Sequence, residues 1–163
     1  MERYEFSPAN AADIPEIVSL YHSLVGTLGC TWDEDYPSIA TAESDLEQNT
    51  LYILRANGKI AAVASLGAFN ELEDLPWAPK NPCELMRIGV APTLQNRGIG
   101  TVMLRKMMAL AKEKGFDGIR LLVSKHNAAA LALYAKNGFE KCGEAFRFDI
   151  DFYCYQIKFD PET

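Results

Sequence analysis

The stretch Gln95-Asn96-Arg97-Gly98-Ile99-Gly100 lies between a strand-like run, Glu84 to Ala91, and a helix-like run, Thr101 to Lys114. No other segment limits the fold as much. Glycines let a backbone come close to a ligand, and the free N–H groups at a helix start, with its positive dipole end, attract an anion. A pyrophosphate suits such a cradle. Gly98 and Gly100 would also be present if their task were only to turn a strand into a helix. The loop lacks the Gly-Lys-Ser/Thr ending of a Walker A motif and the first glycine of the dinucleotide G-x-G-x-x-G order. Phosphate binding here therefore calls for a different fold and a different ligand.

The rest of the chain supplies the partners of this strand–loop–helix unit. No repeat, low-complexity tract or linker divides the 163 residues, so the expectation is one domain over 1–163 with an α/β mixed sheet. Tyr4 to Ser7 reads as a strand, and Asn10 or Asp13 can cap a helix carrying Ile14, Ile17, Val18, Leu20, Tyr21, Leu24 and Val25. A second helix is expected around Ile39 to Gln48. Leu51 to Arg55 and Lys59 to Ala68 form a hairpin about Asn57-Gly58, the strongest short turn signal because both residues tolerate positive φ. Gly118 to Ser124 has the dense apolar run of a buried parallel strand, so strand, helix and strand make a right-handed crossover. Asn127 caps a compact helix to Lys136, and Phe139 to Ala145 and Phe148 to Phe159 close the chain as an antiparallel pair.

Charge and cysteine spacing narrow the function classes. A net charge of −6 argues against nucleic acid as a partner, which requires a basic surface, and mildly favours a cationic substrate, although excess acid is also a common solubility device. Cys30, Cys83, Cys142 and Cys154 are far apart without a C-x-x-C pair, and no signal peptide is visible. Free thiols and a reduced, cytoplasmic setting are expected. No apolar run is long enough to cross a membrane as a helix. No metal is expected.

A second constellation lies downstream. Asn127, Ala130 and Tyr134 stand at i, i+3 and i+7 on one helical face, a small residue between an amide and a phenol that can hydrogen-bond an extended chain. Alternatively Asn127 is only an N-cap and Tyr134 a half-buried aromatic. The order Q-x-x-G-x-G, helix, strand, then N-x-x-A-x-x-L-Y-x-x-x-G-F resembles the GNAT superfamily of N-acetyltransferases, through Asn127, Ala130, Leu133, Tyr134, Gly138 and Phe139.

That resemblance implies the GNAT acyl-CoA N-acyltransferase fold, a mixed sheet of about six to seven strands flanked by about four helices. Its two central parallel strands, here Glu84 to Ala91 and Gly118 to Ser124, would splay to admit acetyl-CoA. It implies that Ile88, Gly89 and Val90 bind the pantetheine and acetyl group through their backbone. Gln95, Asn96, Arg97, Gly98, Ile99 and Gly100 would seat the pyrophosphate, with Thr101 adding a hydroxyl. Asn127 would position the pantetheine beside Ala130, and Tyr134 would stand near the thioester sulfur as general acid or hydrogen-bond donor.

The implied reaction is direct attack of a primary amine on the thioester in a ternary complex. An alkyl ammonium with a pKa of roughly 10.4 must first lose a proton. Glu84, eleven residues before Gln95, matches the place of the glutamate that serves as base in some members, or else it is structural, at a strand end or paired with a basic neighbour. Glu71, Glu73, Asp74 and the run Asp33 to Asp35 offer other carboxylates. The N–H of Val90 is the expected donor to the developing oxyanion. His126 adjoins the motif and reads as a surface residue.

The acceptor is less determined. Trp32, Asp33, Asp35 and Tyr36 combine aromatic surface with negative charge and would suit a small cationic amine or amino-acid-like compound. Equally, Trp32 can be tucked into the core, and Trp77 has the same double reading. A protein or peptide amine, and a catalytically weak acyl-CoA-binding or sensing module, are the alternatives. The aromatic final strand offers an edge for a homodimer.

Overall fold

The computed structural model describes residues 3–69, 72–75 and 77–160. It contains a seven-stranded mixed sheet and four α-helices in the order β1 (Tyr4–Pro8), α1 (Ile14–Leu24), α2 (Ile39–Glu47), β2 (Leu51–Ala56), β3 (Lys59–Gly67), β4 (Pro82–Val90), α3 (Ile99–Glu113), β5 (Gly118–Ser124), α4 (Ala128–Lys136), β6 (Glu140–Arg147) and β7 (Ile150–Lys158). Hydrogen bonding orders the strands β1-β2-β3-β4-β5-β7-β6. The chain resolves into two compact units, Met1–Ser65 with Arg87–Lys106, and Leu66–Met86 with Met107–Thr163.

In the first unit, β1, β2 and β3 form an antiparallel meander. Its hairpin turns at Asn57 and Gly58, with φ of 53° and 88°, as the Asn-Gly pair predicts. The first helix starts through a capping box. Asn10 Oδ1 accepts the Ala12 N–H at 2.9 Å, and the Asp13 carboxylate accepts the Asn10 N–H at 2.9 Å. These bonds close a 3-10 turn before α1 proper, so Asn10 is the cap by side chain while Asp13 completes the box. Ile14, Ile17, Leu20, Tyr21 and Leu24 recur at helical spacing and are buried against Ala42, Leu51, Ile53 and Val63. Ser38 and Thr41 cap α2 by the same reciprocal device.

In the second unit, β4 begins parallel to β5, with Pro82, Cys83 and Glu84 opposite Gly118, Ile119 and Arg120. β7 is antiparallel to β5 on one side and to β6 on the other. Both of its edges are therefore paired, which corrects the expectation that the aromatic last strand offers a free edge to a second copy. The expected start of that strand also moves. Phe148 and Asp149 have φ of 55° and 60° and make the hairpin turn, so β7 starts at Ile150. Without Gly or Asn at that place, the turn had no signal in the sequence.

All four cysteines are free thiols. Burial pushes the Cys83 thiol up to about 12 and the Cys142 thiol up to about 11, so neither is a ready nucleophile. Among the described residues no helix is long and apolar enough to cross a membrane.

Candidate active site

In the first unit, β4 ends at Val90 and the chain passes through a 3-10 turn, Pro92–Leu94, into the glycine loop. Asn96 and Gly98 occupy the left-handed region, at φ of 66° and 80°. The helix then starts at Ile99, inside the loop itself and two residues before the expected Thr101. Val102 is the first residue to donate back along the helix, to Gly98 O at 3.1 Å. The N–H groups of Ile99, Gly100 and Thr101 thus lie ahead of the helical ladder, at its positive end. A Cβ at Gly98 would meet nothing within 4 Å, so its glycine serves the left-handed turn and leaves the space before it open. Gln95 points elsewhere. Its Nε2 donates to Val90 O at 3.2 Å and ties the loop to the strand.

Gly89 has a different reason. A Cβ there would stand 2.7 Å from Leu24 Cδ1 and 3.4 Å from the Trp32 ring. The missing side chain lets α1 and Trp32 pack on β4, while Ile88 and Val90 flank it half-buried.

In the second unit, Asn127 caps α4, its Oδ1 accepting the Ala130 N–H at 3.1 Å. That is the capping alternative raised by the sequence, and it commits the oxygen while the amide nitrogen keeps both of its hydrogens for other partners. Tyr134 is buried, with its ring tilted against Phe139 at 5.4 Å and Tyr155 at 6.3 Å. Burial raises its phenol above the ordinary tyrosine value. It therefore holds its proton throughout the neutral range and can donate.

Glu84 is fully buried, also in the second unit. Its Oε2 receives Arg120 Nε at 3.0 Å and Nη2 at 2.7 Å, and Arg120 Nη2 also donates to Phe69 O at 3.2 Å. Arg120 is the basic neighbour of the structural alternative raised for Glu84. Trp77 lies over the same guanidinium at 5.9 Å and donates Nε1–H to Leu72 O. With Phe69, Glu73, Pro79 and Lys80 it lines a cavity of about 480 Å³ beside Arg120. Asp74 is paired with Arg147 and its carboxyl is held below the ordinary value by that bond. Glu71 lies outside the described residues, and His126 is exposed.

The expected acceptor segment divides. Trp32 is half-buried, edge-on to Tyr21 at 5.6 Å and part of the α1 core, so its ring is a packing element. Asp33 to Tyr36 is an exposed turn, closed by Asp33 N–H to Tyr36 O at 3.1 Å and Asp35 N–H to Asp33 Oδ1 at 2.8 Å. Tyr36 accepts a hydrogen bond from Arg87 Nη1 at 3.0 Å. Arg87 and its partner Asp45 were missed by sequence reasoning. The available signal was a charged residue amid a buried strand and an aspartate on the inward face of α2, each needing a partner.

A sequence model described as the acetyltransferase (GNAT) family matches residues 17–139. The chain belongs to that family. It is 22% identical to the L-methionine sulfoximine/L-methionine sulfone acetyltransferase of Pseudomonas aeruginosa, over 94% of this chain and 93% of that protein. Among solved structures, the GNAT chain is similar to the ribosomal-protein-S18-alanine N-acetyltransferase of Escherichia coli, with a TM-score of 0.77, 21% identity and coverage of 99% and 97% of the two chains. It is also similar to the PaiA N-acetyltransferase of Thermoplasma acidophilum in complex with coenzyme A, with a TM-score of 0.75, 19% identity and coverage of 96% and 99%. The structural likenesses establish the fold of this acetyltransferase, and the family match its enzyme class.

Proposed function

We propose that this chain transfers the acetyl group of acetyl-CoA to the primary amine of a small cationic or amino-acid-like compound, by direct attack in a ternary complex. The observation that carries the reading is the trio of N–H groups at Ile99, Gly100 and Thr101, at the first turn of α3 behind the left-handed residues Asn96 and Gly98. Successive N–H groups in such a turn form an anion nest at a helix start, which fits a pyrophosphate. Exposed Arg97 adds charge, and the Thr101 hydroxyl a further donor. The coenzyme would supply the activated acetyl group as a thioester.

The chain's own groups then have separable tasks. Ile88, Gly89 and Val90 offer strand backbone to the pantetheine and acetyl group, with the Val90 N–H placed to offset negative charge on the carbonyl oxygen. Asn127 and Ala130 border the pantetheine on α4. Tyr134 donates a hydrogen bond to the sulfur as it gains charge. Its raised phenol is a weaker acid than a thiol of pKa roughly 8.5, so the hydroxyl stabilises the leaving thiolate without surrendering its proton outright. Asp33 and Asp35, both exposed, draw a cationic amine. The amine proton leaves to solvent, because the Glu84 carboxylate is engaged by Arg120.

A small acceptor is supported by the full-length relative named for L-methionine sulfoximine and sulfone. Thiol release from acetyl-CoA, measured across small amines, amino acids including methionine sulfone, and lysine peptides, tests the proposal. Turnover confined to peptides would overturn the acceptor class. Tight coenzyme binding with no turnover on any amine would overturn the enzymatic reading in favour of a binding module.

A further inference from the structure

Arg87 bears on the proposed site through both its backbone and its side chain. Its φ of 53° lies in the left-handed region, which crowds the Cβ of any residue but glycine. Such a conformation persists only where the surroundings over-determine it. Here Asp45 does so, accepting Nε at 2.9 Å on Oδ2 and Nη2 at 2.7 Å on Oδ1. Asp45 is itself buried and held by the Ser65 hydroxyl at 2.7 Å. The fork of the guanidinium thereby has one fixed orientation.

Two consequences follow from that orientation. The kink at Arg87 sets the direction of the next peptide groups, those of Ile88, Gly89 and Val90. Meanwhile Nη1, which the carboxylate leaves over, donates to the Tyr36 hydroxyl at 3.0 Å and holds the exposed turn Asp33 to Tyr36. Tyr21 closes the cluster from α1. Its wholly buried hydroxyl has no hydrogen-bond partner among the described residues and lies within electrostatic reach of Asp45, Arg87 and Tyr36.

We propose that Arg87 is a positioning residue that seats the acceptor turn Asp33 to Tyr36 and fixes the acetyl-binding backbone of β4 with one guanidinium, so that amine affinity and acetyl alignment depend on the same group. This rests on the acetyltransferase reading above. The coupling runs Asp45 to Arg87 to Tyr36, and none of the three touches reacting atoms in the proposed scheme.

Tyr36→Phe and Arg87→Lys, singly and together, test it by steady-state kinetics with an amine the wild type acetylates and by amide hydrogen exchange. Tyr36→Phe removes only the hydroxyl. It should raise KM for the amine roughly three- to tenfold, the worth of one hydrogen bond, and leave KM for acetyl-CoA within about a factor of two. Arg87→Lys keeps the charge and loses the fork, and should lower kcat by about tenfold or more as well. The double variant should match Arg87→Lys in amine KM, because its phenol has already lost its partner.

Hydrogen exchange should quicken over Asp33 to Tyr36 in Tyr36→Phe, and over that turn and Ile88 to Val90 in Arg87→Lys. Equal effects on both KM values, additive effects in the double variant, or unchanged exchange at the turn in Tyr36→Phe would each overturn the proposal. Exchange reads the latch without turnover, so a wild type that acetylates no amine would overturn the enzymatic reading alone. Should Arg87→Lys not fold, the Tyr36→Phe results decide by themselves.

Discussion

Two ion pairs stand three residues apart on β4, and they are built for different ends. Glu84 takes both Arg120 bonds on Oε2, with the carboxylate at 0% exposure and the guanidinium's remaining described bond going to a backbone carbonyl. Asp45 is also buried, but Arg87 is half-buried and keeps a donor that reaches Tyr36 in an exposed turn. A buried pair is weak evidence for stability in itself, because desolvation opposes the attraction. The closed pair is a structural joint at the point where β4 meets β5. The open pair carries a link to a segment that meets solvent.

The largest effect should come from opening the closed pair. Glu84→Ala leaves Arg120 buried without its counter-charge and should cost about 3–5 kcal/mol of unfolding free energy, measured by denaturant titration. Glu84→Gln, if folded, should retain turnover at neutral pH. Abolished kcat in an intact fold would make Glu84 the base and end the distinction between the pairs. Next, Tyr134→Phe should lower kcat about 10- to 100-fold, in line with a hydrogen bond to a charged group, with KM for acetyl-CoA little changed. An unaltered kcat would remove Tyr134 from the chemistry.

Smaller changes sharpen the contrast between packing and binding. Gly89→Ala drives a methyl against Leu24 and should destabilise by about 1–3 kcal/mol in thermal or denaturant unfolding. Gly98→Ala meets no neighbour and should cost only about 1 kcal/mol for its positive φ, while raising KM for acetyl-CoA. Equal stability losses at the two glycines would contradict their assigned roles. The mildest effect is alkaline. The phenols of Tyr21 and Tyr134 are both raised, chiefly by burial, so above pH of about 10 the folded chain binds more protons than the unfolded one and stability declines as pH rises. Tyr134→Phe should flatten that decline in stability-versus-pH curves.

Much of the fold was legible because its signals are local. Asn57-Gly58 supplies positive φ within two residues, Asn10 and Asp13 form their box within one turn, and Asn127 caps α4 from the adjacent position. The hairpin at Phe148 and Asp149 was not legible, since Phe148 is unusual for positive φ and yields only to the pairing of the strands it joins. Of the candidate site, the turn at Gln95 to Gly100 and the helix start it leads to were readable. The roles of Gly89, Trp32 and Glu84 were not, because each depends on a neighbour far along the chain.

The sequence alone determined that this protein is a GNAT acetyltransferase with a glycine loop opening α3. Spacing of a few residues specifies a cap, a turn or a helix start whatever surrounds it. Only the tertiary structure decided that Glu84 is locked to Arg120 and that Arg87 is clamped by Asp45 and joined to Tyr36. Those partners lie 36, 42 and 51 residues away. A carboxylate's proton affinity is set by the charge and solvent beside it, and such proximity exists only after the chain has folded.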